Sequence, residues 1–244
     1  MTPAEASRPQ QTALGIGIIL ASVLTMAFAD AVVKLVSADI TVWQVFVARA
    51  LFAIPILVVL LLATGTGLKL RAAKWTVVRS TLLLLTWLAF YASFPVLSLS
   101  VAAVAVYTNP IMIALLSALL IGEPVSARQW GGVLLGFAGV VAILKPGTDA
   151  FSWFTLLPLT GAGFYALAMV LTRSKCQDEA PLALAISLHG AFLITGLIAT
   201  AALALIGLSA ETKAAFPFLF ADWAPMGTRE WGLMILIGAN NTVD

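Results

Sequence analysis

Cysteine and histidine occur once each in this 244-residue chain, as Cys176 and His189. A single cysteine excludes an intramolecular disulfide and a thiolate metal cluster. Charge is scarce too: 10% of the residues are Asp, Glu, Lys or Arg, against about 25% in an ordinary soluble domain. The few acidic residues are too dispersed for a metal site. The formal net charge of +2, carried by scattered basic residues, points to no nucleic-acid surface. No HExxH, Walker or GxSxG pattern occurs. Gly-Ile-Gly at 15–17 and Gly-Ala-Gly at 161–163 stand inside apolar runs with no preceding strand, so no nucleotide site and no cofactor are expected. Clustered nucleophile and base residues are missing as well, and the chain does not read as an enzyme.

What fills the chain instead is hydrocarbon. Hydrophobic residues make up 61%, gathered in blocks near 20 residues long, enough to cross about 30 Å of bilayer core. The alternation of a membrane β-barrel is absent, which leaves helices as the spanning solution. The expected fold class is an all-α integral membrane protein with the lipid bilayer as its solvent. Spans are predicted at 14–36, 41–62, 75–95, 101–121, 127–145, 153–172 and 181–207, with a partial one from 230 onward. The first is read as a retained helix, because no small-residue cleavage site follows it. "GEPVS" separates the fourth from the fifth span, and Ser126 with Gln129 has capping-box spacing for the helix that follows.

Basic residues orient these spans. With a cytoplasmic N-terminus, inside segments hold Arg8, Lys69, Arg71, Lys74, Arg79, Arg128, Arg173 and Lys175, and outside segments hold Lys145, Lys213 and Arg229. That bias predicts the N-terminus inside. Between 208 and 229 lies the longest loop, with "FPFLFADW", whose aromatics are expected at the headgroup level. Gly132, Gly136 and Gly139 have small-residue spacing and predict close helix packing on the fifth span.

Compared with itself, the chain shows a faint repeat at an offset near 140. "FVARALFAIP" at 46–55 aligns with "ISLHGAFLIT" at 186–195, setting Arg49 against His189 and Phe52 against Phe192. Five spans per copy would turn the second copy upside down, a plan often built around a site at the repeat interface.

"FYASFPVLSLSVAAVAVYTNPIMIALLSALLIGEPVSARQWGGVLLGFAGVVAILKPG", residues 90–147, resembles the EamA-type repeat of the drug/metabolite transporter superfamily. The features that match are Phe90-Tyr91-Ala92, Pro110, Gly122-Glu123 and a glycine-rich fifth span ending in Gly139-Val140, with Arg49 early in the second span. The resemblance divides the chain into a cytoplasmic segment at 1–13, a five-helix repeat at 14–146 and an incomplete second repeat at 153–244. It implies inverted five-helix repeats, with ten helices in a full-length member. Here seven full transmembrane helices and part of an eighth are expected. It also implies a bacterial inner-membrane location and export or exchange of a small metabolite or drug-like solute by alternating access. Because the sequence stops within the eighth span, a truncated, non-transporting membrane protein that packs with a partner is the alternative.

Polar groups inside spans are costly, so each needs a reason. Asp30 and Lys34, four apart on one face, either neutralise each other or leave Asp30 as a cavity residue for a proton or a substrate cation. Arg49 either binds an anionic substrate group or pairs with Asp30 to hold the first two helices. His189 is either a hydrogen-bonded packing residue or a proton relay. Trp87, Tyr91, Tyr107 and Tyr165 suit an amphipathic cavity or a lipid interface. Pro110 removes the amide that would bond the carbonyl of Val106. Such a break persists only where protein or a water-filled cavity re-satisfies the backbone, which makes Tyr107, Asn109 and Pro110 the expected meeting of the fourth helix with the solute path. Glu123 is expected on the cytoplasmic gate side. Proton coupling through Asp30 or His189 and assembly as a homodimer are left open.

Overall fold

The thirty-four residues Pro3–Val36 form a single helix, α1, which contains the first predicted span. A computed structural model of the protein describes residues 3–65, 67–122, 125–145 and 152–240, with the side chains of 3–16, 18, 19, 239 and 240 left aside. Glu123 therefore lies outside the described residues. After α1 come α2 (Val42–Thr64), α3 (Ala73–Ala92), α4 (Leu99–Val106), α5 (Asn109–Ile121) and α6 (Ala127–Leu144). A 3-10 turn at Trp153–Thr155 leads into α7 (Leu156–Lys175), followed by α8 (Pro181–Ile206), the short α9 (Ala210–Ala215) and α10 (Pro217–Phe220), and α11 (Thr228–Asn240).

Local chemistry sets these boundaries. The predicted capping box forms at the start of α6, where the backbone N–H of Ser126 donates to Gln129 Oε1 at 2.7 Å. Thr41 and Gln44 make a second box that starts α2. Gly65, Gly122 and Gly207 end α2, α5 and α8 in the left-handed region, where a residue without Cβ carries no steric penalty.

Among the described residues six helical stretches are long and apolar enough to cross a bilayer. They are Val42–Thr64, Ala73–Ala92, Leu99–Ile121, Ala127–Leu144, Trp153–Lys175 and Pro181–Ile206. The third joins α4 and α5 across a break. α11 has 13 residues, about 20 Å of helix, short of a full crossing. No strand occurs among the described residues.

At the centre α2 packs along α8. Phe46 stacks on Phe192 across that seam, ring centroids 4.7 Å apart. α3 lies against α7 and α8, while α11 lies against α2 and α1. α5 and α6 turn long apolar side chains outward, among them Leu119, Leu134 and Leu135. In water such a surface would be a liability; in hydrocarbon it is the solvated face.

One sequence expectation changes. An added Cβ at Gly132, Gly136 or Gly139 meets nothing within 4 Å, so among the described residues this stripe packs against no helix. The close approaches are elsewhere, at Gly196 and Gly238. The loop after α8 folds back onto the first turn of α2. The indole N–H of Trp43 donates to the carbonyl of Leu219 at 2.8 Å. The fully buried Gln44 donates through Nε2 to the carbonyl of Ala224 at 2.7 Å and accepts from its N–H at 3.2 Å. Phe218 is thereby drawn into the core, while Phe216 and Trp223 stay exposed.

Gln44→Leu strands both polar groups of Ala224 and removes the side-chain half of the α2 capping box, the bond to Thr41 N–H. A loss of about 2 kcal/mol is expected from unmeeting buried polar groups. Limited proteolysis checks it: cleavage within 208–227 should speed up while sites elsewhere keep their rate.

Candidate functional site

Pro110 cannot donate a backbone hydrogen bond, so the helix through residues 99–121 cannot run unbroken at full satisfaction. The chain resolves this at Tyr107 and Thr108. Tyr107 N–H donates to Ala103 O at 3.0 Å and Thr108 N–H to Ala105 O at 3.3 Å, closing α4. The hydroxyl of Thr108 also donates to Ala105 O, at 2.8 Å. Pro110 then falls in the first turn of α5, where a missing amide costs nothing. Beside it, Asn109 holds a buried side-chain oxygen that meets no donor among the described residues.

This break borders a cavity of about 610 Å³ between α1, α3, α4, α5 and α7. Of the residues read from the sequence, Asp30, Trp87, Tyr107, Asn109, Pro110 and Tyr165 line it. Arg49, Tyr91 and His189 are not among its lining residues; they lie almost wholly buried, at 3%, 1% and 3% exposure. Sequence reasoning missed Thr86, Phe90, Ser100 and Ala103, which also line the cavity. A signal was available for some of them, since Ser100, Ala103 and Tyr107 recur at spacings of three and four and share one helical face.

Behind the cavity wall stands a polar relay. Arg49 donates from Nη1 to the hydroxyl of Tyr91 at 2.8 Å. Having accepted that bond, Tyr91 has its own proton to offer, and Asp30 faces the same hydroxyl. The Arg49 guanidinium lies 4.8 Å from the centre of the Trp87 ring and 5.2 Å from that of Phe192. Arg49 is thus linked to Asp30 through Tyr91 while its flat faces rest on aromatic rings. His189 packs edge-on against the same Phe192, and its Nδ1 lies 3.0 Å from the carbonyl of Ala185. Of the two residues considered as proton carriers, Asp30 alone borders the cavity.

Lys34 faces a different partner from the one the spacing suggests. Its ammonium donates to the carbonyls of Phe94 and Leu97, the latter at 3.0 Å. It caps the turn that follows α3, because those buried carbonyls lie past the helix and have no helical donor.

A second polar group gathers where α3 begins and α7 ends. Glu179 accepts from the backbone N–H of Ala72, Arg79 Nε donates to Thr172 Oγ1 at 2.8 Å, and Ser80 and Ser187 pair at 3.0 Å. Burial pushes the thiol of Cys176 up from its ordinary range. The neutral thiol is a poor nucleophile, and it sits here as a small packing residue.

A bundle of membrane-length helices enclosing an aromatic cavity, with a carboxylate at its wall, defines a multi-pass membrane protein able to hold a small molecule. The chain belongs to the EamA-like transporter family, whose model matches residues 13–145. It is 33% identical over 95 residues to a riboflavin transporter of Rhizobium johnstonii, 39% of this chain and 30% of that protein. It is 24% identical over 226 residues to the pseudopaline exporter CntI of Pseudomonas aeruginosa, 91% of this chain and 73% of that protein. A riboflavin transporter of Vibrio cholerae is 28% identical over 67% of this chain and 56% of its own length. The matched stretches thus span from under a third to about three quarters of these relatives' own length. A solved crystal structure shares the fold at a TM-score of 0.54 and 18% identity, covering 91% of this chain and 78% of that one.

Proposed function

We propose that this chain moves a small organic solute across a bacterial inner membrane by alternating access, with its N-terminus in the cytoplasm. The observation that carries the reading is the cavity of about 610 Å³ at the α4–α5 break. Its size falls within the range of small-molecule sites, and an irregular backbone at membrane depth is tolerated where it borders such a space. The relatives named for riboflavin and pseudopaline favour a metabolite of that size, and riboflavin is the first solute to try.

The packing supports two inverted repeats, 14–146 and 153–244. Exchanging α1 with α7, α2 with α8 and α3 with α11 turns the α3–α7 contact into α11–α1. The same exchange turns α3–α8 into α11–α2 and returns α2–α8 to itself. Rocking of one repeat against the other about the α2–α8 seam would then expose the cavity to each side in turn. The bias of basic residues between the two sets of loops favours an N-terminus inside. Any proton exchanged during the cycle is assigned to Asp30.

Flux into proteoliposomes made with this chain tests the reading, using a solute panel that includes riboflavin. At least one solute should enter saturably. Ala103→Trp fills a cavity wall position and should lower that flux about tenfold or more by steric exclusion, with unchanged elution in detergent. Flux no greater than in protein-free liposomes would favour the rival, a membrane protein that packs with a partner without transporting. Unchanged flux through the Ala103→Trp variant would remove the cavity from the path.

A further inference from the structure

The polar groups that reach the cavity are unequal in kind. Asp30 brings a carboxylate, and Asn109 brings a buried oxygen with no donor among the described residues. Val106 lines the same space, and Pro110 supplies no amide to its carbonyl. No lysine or arginine is among the described lining residues. Lys34, one helical turn from Asp30, donates to the carbonyls of Phe94 and Leu97, and Arg49 donates to Tyr91 with two aromatic rings against its guanidinium. Around these acceptors stand the rings of Trp87, Phe90, Tyr107 and Tyr165. Aromatic faces attract cations, and more strongly where water is excluded.

We propose that the cavity selects solutes with a hydrogen-bond-donating cationic head, such as a protonated amine, on a flat or apolar body. The inference rests on the reading of this cavity as the solute site and adds the sign of the charge it takes. The head is held by the carboxylate of Asp30 and by the side-chain oxygen of Asn109, and the body lies among the rings. Arg49 influences Asp30 through the Tyr91 hydroxyl, so the carboxylate is positioned without a cation standing in the solute's place. An anion of the same shape meets the Asp30 carboxylate, with no lysine or arginine among the described lining residues to attract it, in a medium of low dielectric.

Three indole probes of similar size isolate the charge: tryptamine, tryptophol and indole-3-acetate, a cation, a neutral alcohol and an anion at pH 7. Equilibrium dialysis against the full chain in nanodiscs reads their binding without requiring flux. Tryptamine should bind about thirtyfold tighter than indole-3-acetate, with tryptophol between them. Asp30→Asn should reduce that ratio to about threefold or less, while Asp30→Glu keeps the order. Asn109→Ala should weaken tryptamine about fivefold and leave the order intact.

Equal or tighter binding of indole-3-acetate overturns the proposal. So does a preference that survives Asp30→Asn, or no tryptamine binding at millimolar concentration. The two readings fail separately. A chain that binds in this order but moves nothing refutes transport alone, and a chain that moves riboflavin while binding the three probes alike refutes the charge selection alone.

Discussion

Arg49→Ala is expected to destabilise the bundle by about 3–5 kcal/mol, the range for removing one partner from a buried charged network. Three losses combine. The hydroxyl of Tyr91 loses its 2.8 Å donor. The guanidinium is withdrawn from between the rings of Trp87 and Phe192, leaving a void at 3% exposure. Asp30 loses the positive charge that reached it through Tyr91. Arg49→Lys restores a charge but not a flat ion that can rest on two rings while donating sideways. It should recover less than half of the loss. Unfolding by a denaturing detergent, followed by circular dichroism at fixed lipid content, measures both variants. A loss below about 1 kcal/mol for Arg49→Ala would show that the network contributes no more than a surface pair does.

The same residue shows how far the sequence could be read. An arginine inside an apolar run announces a partner, because the bilayer leaves an isolated charge no alternative. Which partner it takes depends on how α2 meets α3 and α8, and no local pattern encodes that. Asp30 and Lys34 make the point from the other side. Their spacing suggests a pair, yet tertiary packing brings Lys34 to carbonyls sixty residues away and Asp30 to Tyr91.

The α4–α5 break was legible because it is covalent. Proline has no amide to give, whatever surrounds it. The cavity beside it was half legible: Tyr107, Asn109 and Pro110 are marked by chemistry, whereas Ala103 and Ser100 matter only as absences of bulk. The contacts of loop 208–229 were illegible for a related reason. Its aromatics match an interfacial belt, but the residues that hold it, Trp43 and Gln44, lie more than 170 positions earlier.

Gly196→Val is expected to cost about 3 kcal/mol, at the upper end for overpacking a filled core. Helices in a bilayer gain little from burying apolar surface against one another, since lipid tails are as apolar as leucine. Close backbone approach and hydrogen bonds carry the association instead. At Gly196 the approach leaves no room. A Cβ there would stand 2.7 Å from Cγ2 of Val47 and 2.9 Å from the carbonyl oxygen of Trp43. The side chain of Val47 can turn, but the Trp43 carbonyl belongs to α2 and moves only with the helix. Separating α2 from α8 also loosens the Phe46–Phe192 stack and the loop held by Trp43 and Gln44. Gly196→Ala should cost somewhat less than the valine, and Gly136→Ala, with nothing within 4 Å of its added methyl, should change stability by less than about 0.5 kcal/mol. Detergent unfolding of the three variants in parallel decides the matter. A Gly196→Val protein as stable as the parent would mean that the α2–α8 seam is not the tight contact on which the bundle depends.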